Sequence, residues 1–195
     1  NVTDTFTVRV TDGGLATTKT VTVNVVGAND APTLASDAAL PAILEYAASA
    51  SNHGQTVAAL FAPRFADVDT GASLGGIVIV GDASTGGQGA WQYSTDGGTT
   101  WFAVGSVSDS AGLALAATAR VRFAPAADWN GTPGSLTVHA ADNAYSGGYT
   151  SGASRITFNT TNDAATSGVS VASRTLSTSV TAVNDAPTFT SAAAT

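Results

Sequence analysis

The side chains in this sequence best equipped for chemistry are its carboxylates. Fourteen acidic residues stand against seven basic ones, and Glu45 is the only glutamate. Carboxylate and carbonyl oxygens are the ligands that a hard divalent cation such as Ca²⁺ takes. Asp67-Val68-Asp69 has a useful spacing for this, because alternate residues of an extended chain point the same way and both carboxylates can face one ion. The competing reading is that Asp and Asn brace turns through their own backbones. It applies most strongly to Asp12, Asp82, Asp96 and Asp109, which sit beside Gly or Ser. Catalysis has less to work with. His53 lies in a loop-like Ser51–Gly54 stretch, and His139 alternates with Val138 and is expected to face solvent. Neither accompanies a nucleophile or a metal-binding HxH or HExxH spacing. Glycoside cleavage needs two carboxyls flanking a cleft, and nothing singles out such a pair. The expectation is that the chain is not an enzyme and has no catalytic residues.

Aromatic residues are the second candidate group. Trp91, Tyr93, Trp101 and Phe102 cluster around Ser94-Thr95-Asp96-Gly97-Gly98-Thr99-Thr100-Trp101, which fits the Asp-box pattern SxDxGxxW of a β-hairpin turn. Trp91 and Tyr93 share one face of their strand. Large aromatics mostly serve burial, so core packing is the primary expectation. The alternative is a carbohydrate-binding platform, since exposed Trp91, Tyr93 or Trp101 would offer rigid faces to a sugar. Trp129, in Asp128-Trp129-Asn130-Gly131, reads as a plug over the end of a sandwich.

The elements that must position these residues are short and repetitive. Asn29-Asp30-Ala31-Pro32-Thr33 recurs as Asn184-Asp185-Ala186-Pro187-Thr188, 155 residues later. A strand-like run precedes each copy, and Phe6–Asp12 resembles Leu136–Asp142 further upstream, both alternating and ending on Asp. The second copy is longer, with 42 residues from Asp142 to Asn184 against 17 from Asp12 to Asn29. The expected organisation follows. Residues 1–28 are the last two strands of a truncated repeat, turned by Asp12-Gly13-Gly14. Residues 29–32 are a linker, 33–183 a complete domain, and 184–195 a linker with the start of the next repeat. Expected strands in the whole domain are Ala42–Glu45, Thr56–Phe61, Gly76–Val80, Gly89–Ser94, Thr100–Val104, Ala119–Phe123, Leu136–Ala141, Ser154–Asn159 and Leu176–Val183, with Ala111–Ala119 the one stretch able to form a helical turn. Many short strands between Gly- and Ser-rich turns indicate an all-β, antiparallel β-sandwich.

Composition narrows the function classes. A net charge of −7 argues against nucleic acid, whose phosphates need Lys and Arg to displace counterions. No apolar run approaches the ~18 residues of a membrane span, so no membrane insertion is expected. The absence of Cys excludes disulfides and thiolate metal sites. Without an initiator Met or signal peptide, the chain reads as an internal piece of a longer protein.

The NDAP junctions, the strand-plus-Asp endings, Phe65-Ala66-Asp67-Val68-Asp69 and Phe123-Ala124-Pro125-Ala126-Ala127-Asp128-Trp129-Asn130-Gly131 resemble the cadherin-like, Ig-like tandem repeats of giant bacterial adhesins of the RTX type, exported by type I secretion. The resemblance implies an Ig-like fold and an extender module on the bacterial cell surface. Its partners would be neighbouring repeats of the same polypeptide, with glycans or other cell surfaces engaged by the parent protein. It also implies Ca²⁺ at the domain junctions. Carried over residue by residue, Asn29, Asp30, Asp67, Asp69 and Asp142 would share one pole, and Glu45, Asp128 and Asp185 would form a half-site at the other. The junction is poorer in acids than the animal cadherin DxNDN linker. No GGxGxD nonapeptide is present, which excludes a calcium-filled β-roll.

Overall fold

A computed structural model describes residues 2–46, 51–161 and 164–187. The start of a next repeat, expected at 188–195, lies outside the described residues.

The chain opens on a hairpin of β1 (Val2–Thr11) and β2 (Ala16–Val25), in register from Val2 opposite Val25 to Thr11 opposite Ala16. Its turn is braced by Asp12, whose Oδ1 accepts from the N–H of Leu15 at 2.9 Å, while Gly13 takes a φ of +96°. That left-handed conformation is the one glycine adopts freely. Strict alternation puts Val2, Phe6, Val8 and Val10 on one face with Val21, Val23 and Val25 opposite. Every residue of both strands is nevertheless exposed, so the apolar face is uncovered.

Residues 33–181 build the body from short strands: β3 (Thr33–Leu34), β4 (Ala38–Ala39), β5 (Ile43–Leu44), β6 (Gln55–Thr56), β7 (Phe65–Ala66), β8 (Leu74–Asp82), β9 (Gly89–Ser94), β10 (Phe102–Ala103), β11 (Gly112–Ala116), β12 (Arg120–Pro125), β13 (Leu136–Asp142), β14 (Thr157–Phe158), β15 (Arg174–Ser177) and β16 (Val180–Thr181). A four-stranded sheet in the order β10-β9-β12-β6 faces a six-stranded sheet in the order β14-β11-β8-β13-β15-β4. The fold is an all-β sandwich, antiparallel except where β4 pairs with β15 and β5 with β16 in parallel.

Two apolar layers hold the body together. Between the sheets lie Trp91, Tyr93, Phe123, Ile77, Ile79, Leu113, Leu115, Leu136, Val138 and Leu176, all buried. Complete burial of each aliphatic side chain contributes about 1.5–3 kcal/mol. On the other face of the six-stranded sheet, Val78, Val80, Ala114, Ala141 and Val169 pack with Tyr145, Tyr149, Ile156 and Phe158. The long excursion between Asp142 and Arg174 supplies this second cover. Because β8 is covered on both faces, its Ile77-Val78-Ile79-Val80 run is continuously apolar instead of alternating.

Three expectations about local structure are corrected. Thr56–Phe61 does not form a strand: α1 (Val57–Phe61) is a helical turn capped by Thr56, whose hydroxyl accepts from the N–H of Ala59 at 3.1 Å. Val57, Leu60 and Phe61, at helical spacing, are its buried residues. The chain passes through a 3-10 turn containing Pro63 before β7. Conversely, the alanine-rich Ala111–Ala119 stretch forms no helical turn: it contains strand β11 and then a turn, with Leu113 and Leu115 facing the main core and Ala114 the second layer. His139 is only 7% exposed, not solvent-facing, and its Nδ1 lies 2.5 Å from the Ser170 carbonyl. The covering excursion buries what would otherwise be an outer face.

Candidate functional site at the junction poles

Strand β13 has a candidate site at each end. At its C-terminal end, Asp142 is 1% exposed. Its Oδ1 accepts from the N–H groups of Ala144 (2.7 Å) and Tyr145 (3.0 Å), which sets the turn after the strand. Its Oδ2 accepts from Asn29 Nδ2 at 3.2 Å. That amide nitrogen also lies 2.8 Å from the Asp30 carbonyl and 3.2 Å from the Ser167 carbonyl. Two amide protons are therefore shared among three acceptor oxygens.

The DxD loop joins the same pole. Asp30 donates its backbone N–H to Asp69 Oδ2 at 2.7 Å, and Asp69 donates its own to Asp67 Oδ1 at 2.8 Å. Ala31 donates to the Ala165 carbonyl at 2.6 Å, and Asn143 Oδ1 accepts from Ser73 N–H. Asp67 Oδ2 is buried and has no hydrogen-bond partner. A buried, unpartnered carboxylate oxygen is costly, and a cation would satisfy it. The resemblance to Ig-like repeats implies a common pole for Asn29, Asp30, Asp67, Asp69 and Asp142, and hydrogen bonds join them there in the structure. Asp30 enters through its backbone, with its side chain exposed. Among the described residues, no three acidic or histidine side chains gather closely enough to form a metal cage. The oxygens that do converge are carbonyl and carboxylate, a donor set that suits Ca²⁺ more than a softer ion.

The opposite end of β13 holds Glu45, Asp128 and Asp185, in two separate arrangements. Glu45 is 6% exposed and fully engaged, its Oε1 accepting from Val183 N–H at 2.5 Å and its Oε2 from Asn130 Nδ2 at 3.0 Å. It closes the pole from within. Asp128 and Asp185 meet on a residue that sequence reasoning missed, Tyr46. Its hydroxyl contacts Asp128 Oδ1 and lies 2.7 Å from Asp185 Oδ1. One phenolic proton serves two carboxylates, and these bonds, the one to Asp128 first, push the Tyr46 hydroxyl well above the ordinary phenol range. Asp128 reaches this position in the left-handed region, at φ +59°. A Tyr beside the only Glu was the available signal, but no spacing rule connects residues 46, 128 and 185.

The aromatic cluster does not form a platform. Trp91 and Tyr93 are each 1% exposed. Trp91 donates Nε1–H to the Gly134 carbonyl at 2.8 Å and packs edge-on against Phe123, while Tyr93 stacks on Phe102. Neither has a face left for a sugar, which corrects the ligand-binding alternative for both. Trp101 is half-buried, donates to the Gly98 carbonyl at 2.9 Å, and carries the Arg122 guanidinium 4.0 Å over its ring. The Asp96 brace has the geometry of a structural turn. Its Oδ1 accepts from Ser94 Oγ (2.7 Å) and from the N–H groups of Thr100 (2.9 Å) and Thr99 (3.1 Å). These bonds, the Thr100 N–H foremost, lower its pKa to about 2. Trp129 packs edge-on with Phe123, at the margin of the main core.

No helix among the described residues is long and apolar enough to cross a membrane. No protein-family model matches the chain, and neither does any curated protein or solved structure.

Proposed function

We propose that this chain is a structural extender module of a bacterial surface adhesin, acting outside the cell to space a ligand-binding region from the surface, and that it carries out no catalysis. The observation that supports this reading is the placement of the two NDAP junctions. One is anchored at the Asp142 end of β13, through Asn29 and Asp30, and the other beyond the Leu136 end, through Val183 and Asp185. A seven-residue strand spans about 20 Å, so a body entered at one pole and left at the other adds length with each copy.

Calcium is part of this proposal. Asp67, whose buried Oδ2 has no hydrogen-bond partner, is the residue that would hold it, and Asp69 and Asp142 would have to give up hydrogen bonds to join it. Bound there, the ion would supply positive charge to a pole whose carboxylates otherwise rely on backbone and amide N–H groups. Without it, the linker rests on the shared Asn29 amide and the Asp30–Asp69 bond.

The test is thermal unfolding, measured in Ca²⁺ and in chelator. Chelation is expected to lower the melting temperature, as the carboxylates of the Asp67 pole lose the cation that would offset their charge. Identical values in both conditions would remove calcium from the function.

A further inference from the structure

The two NDAP junctions show one linker sequence in two settings, the first bound to the body that follows it and the second to the body that precedes it. In both, the Asn side chain turns onto the next residue's carbonyl: Asn29 Nδ2 to Asp30 O at 2.8 Å, and Asn184 Nδ2 to Asp185 O at 3.3 Å. The local shape is thus shared, but the outward contacts differ. At the first junction they use the Asn29 amide and the N–H groups of Asp30 and Ala31. At the second they use the Asp185 carboxylate, on Tyr46, and the Val183 N–H, on Glu45. Among the described residues, no atom that makes an outward contact at one junction has its counterpart in use at the other. The Asp30 carboxylate is exposed and enters none of these bonds.

From these non-overlapping contacts we infer that the NDAP linker is a two-sided clamp. Its Asp carboxylate holds the Tyr46–Asp128 pole of the preceding body, while its Asn amide and backbone N–H groups hold the Asp69–Asp142 pole of the following one. The partner of the Tyr46 pole is therefore the linker of a following body that carries counterparts of Asp69 and Asp142. This joint is made by direct hydrogen bonds and needs no metal. The Asn, Asp and Ala of the linker are each pinned from one side or the other, so the angle between successive bodies is fixed by the protein itself. The inference rests on the extender reading, because it requires bodies in tandem.

The test extends the full chain by a second copy of residues 33–187 placed directly after Pro187. The sequence contains no cysteine, so Val171→Cys in each body gives two unique labelling sites at a position 59% exposed. Electron–electron distances between spin labels are then measured in chelator. A single narrow distribution is expected. Tyr46→Phe in the first body, or Asn184→Ala in the junction, should broaden it at least twofold. Tyr46→Phe in the second body, which lies away from the joint, should leave it unchanged. A broad distribution in the unsubstituted chain overturns the clamp, as does equal broadening by Tyr46→Phe in either body. Adding Ca²⁺ separates the two ideas. Narrowing that appears only with Ca²⁺ supports the calcium-stiffened extender and overturns the clamp, whereas a narrow, calcium-insensitive distribution supports the clamp and removes calcium from the joint.

Discussion

Asp142 carries two structural tasks on two different oxygens, and a pair of substitutions separates them. Asp142→Ala removes the acceptor for the N–H groups of Ala144 and Tyr145 and for the Asn29 amide, at a position 1% exposed. Hydrogen bonds to a charged group contribute about 1.5–3 kcal/mol each, and losses within one network do not add fully, so a cost of about 3–5 kcal/mol is expected. At roughly 2–4 °C per kcal/mol for a chain of this size, melting should fall by on the order of 10 °C. Asp142→Asn keeps an oxygen for the turn but sets an amide nitrogen against Asn29 Nδ2, donor against donor. Rotating Asn29 to relieve this gives up its bonds to the Asp30 and Ser167 carbonyls. Its cost should be about 1–2 kcal/mol, confined to the linker. Differential scanning calorimetry measures the first effect and amide hydrogen exchange the second. Exchange at Asp30 and Ala31 should accelerate about 10-fold in Asp142→Asn while the β8 amides keep their protection. Equal melting losses in both variants, or unchanged exchange at Asp30 and Ala31, would refute the division of labour between the two oxygens.

Other outcomes follow from single sites. Trp91→Ala should cost about 3–5 kcal/mol by denaturant unfolding, because it empties the core opposite Phe123 and leaves the Gly134 carbonyl without its donor; a cost below 1 kcal/mol would contradict its burial. Gly89→Ala should destabilise strongly, since its φ is +133° and a Cβ there would sit 2.2 Å from the Ala124 carbonyl oxygen; wild-type stability would be inconsistent with that packing. The Asp96 pKa is depressed in the folded state, so its contribution is present above the unfolded value near 4 and is lost as pH falls toward about 2. Asp96→Asn should therefore flatten stability against pH in that window, and an unchanged profile would refute the brace. Burial raises the Tyr149 hydroxyl to about 12, so its contribution is complete below pH 10 and is lost as pH rises toward 12. Tyr149→Phe should remove that alkaline loss, measured by denaturant midpoints across the range.

Strands that carry their own pattern were legible in the sequence. Gly89–Ser94 has the bounds expected of it, and Leu136–Asp142 extends its expected span by one residue. Alternation fails where a strand is covered on both sides, as at Ile77–Val80, and where alanine obscures the period, as at Gly112–Ala116. The helical turn at Val57–Phe61 was decipherable from Thr56 as a cap and from the spacing of Val57, Leu60 and Phe61, but five residues offer little pattern against β-branched and aromatic propensity. The linker pole was accessible through the Ig-like resemblance, which sets the junction beside the loops that hold Asp67, Asp69 and Asp142. Ser167 and Ala165 were not, because they contribute backbone oxygens and a carbonyl has no sequence signature. Tyr46 escaped for a related reason, since its partners lie 82 and 139 residues away.

The parallel pairs β4–β15 and β5–β16 join the first strands of the body to its last. If force is applied through the two junctions, the early strands are drawn toward their N-termini and the late ones toward their C-termini. Parallel neighbours pulled in this way slide along each other, so their hydrogen bonds share the load and must fail together. The Asp12 hairpin has the opposite geometry, because pulling its two ends apart opens the antiparallel ladder one pair at a time. In a single-molecule pulling trace the hairpin should therefore yield at low force and the body in one abrupt, high-force event. The ends of the body's chain act as its mechanical lock.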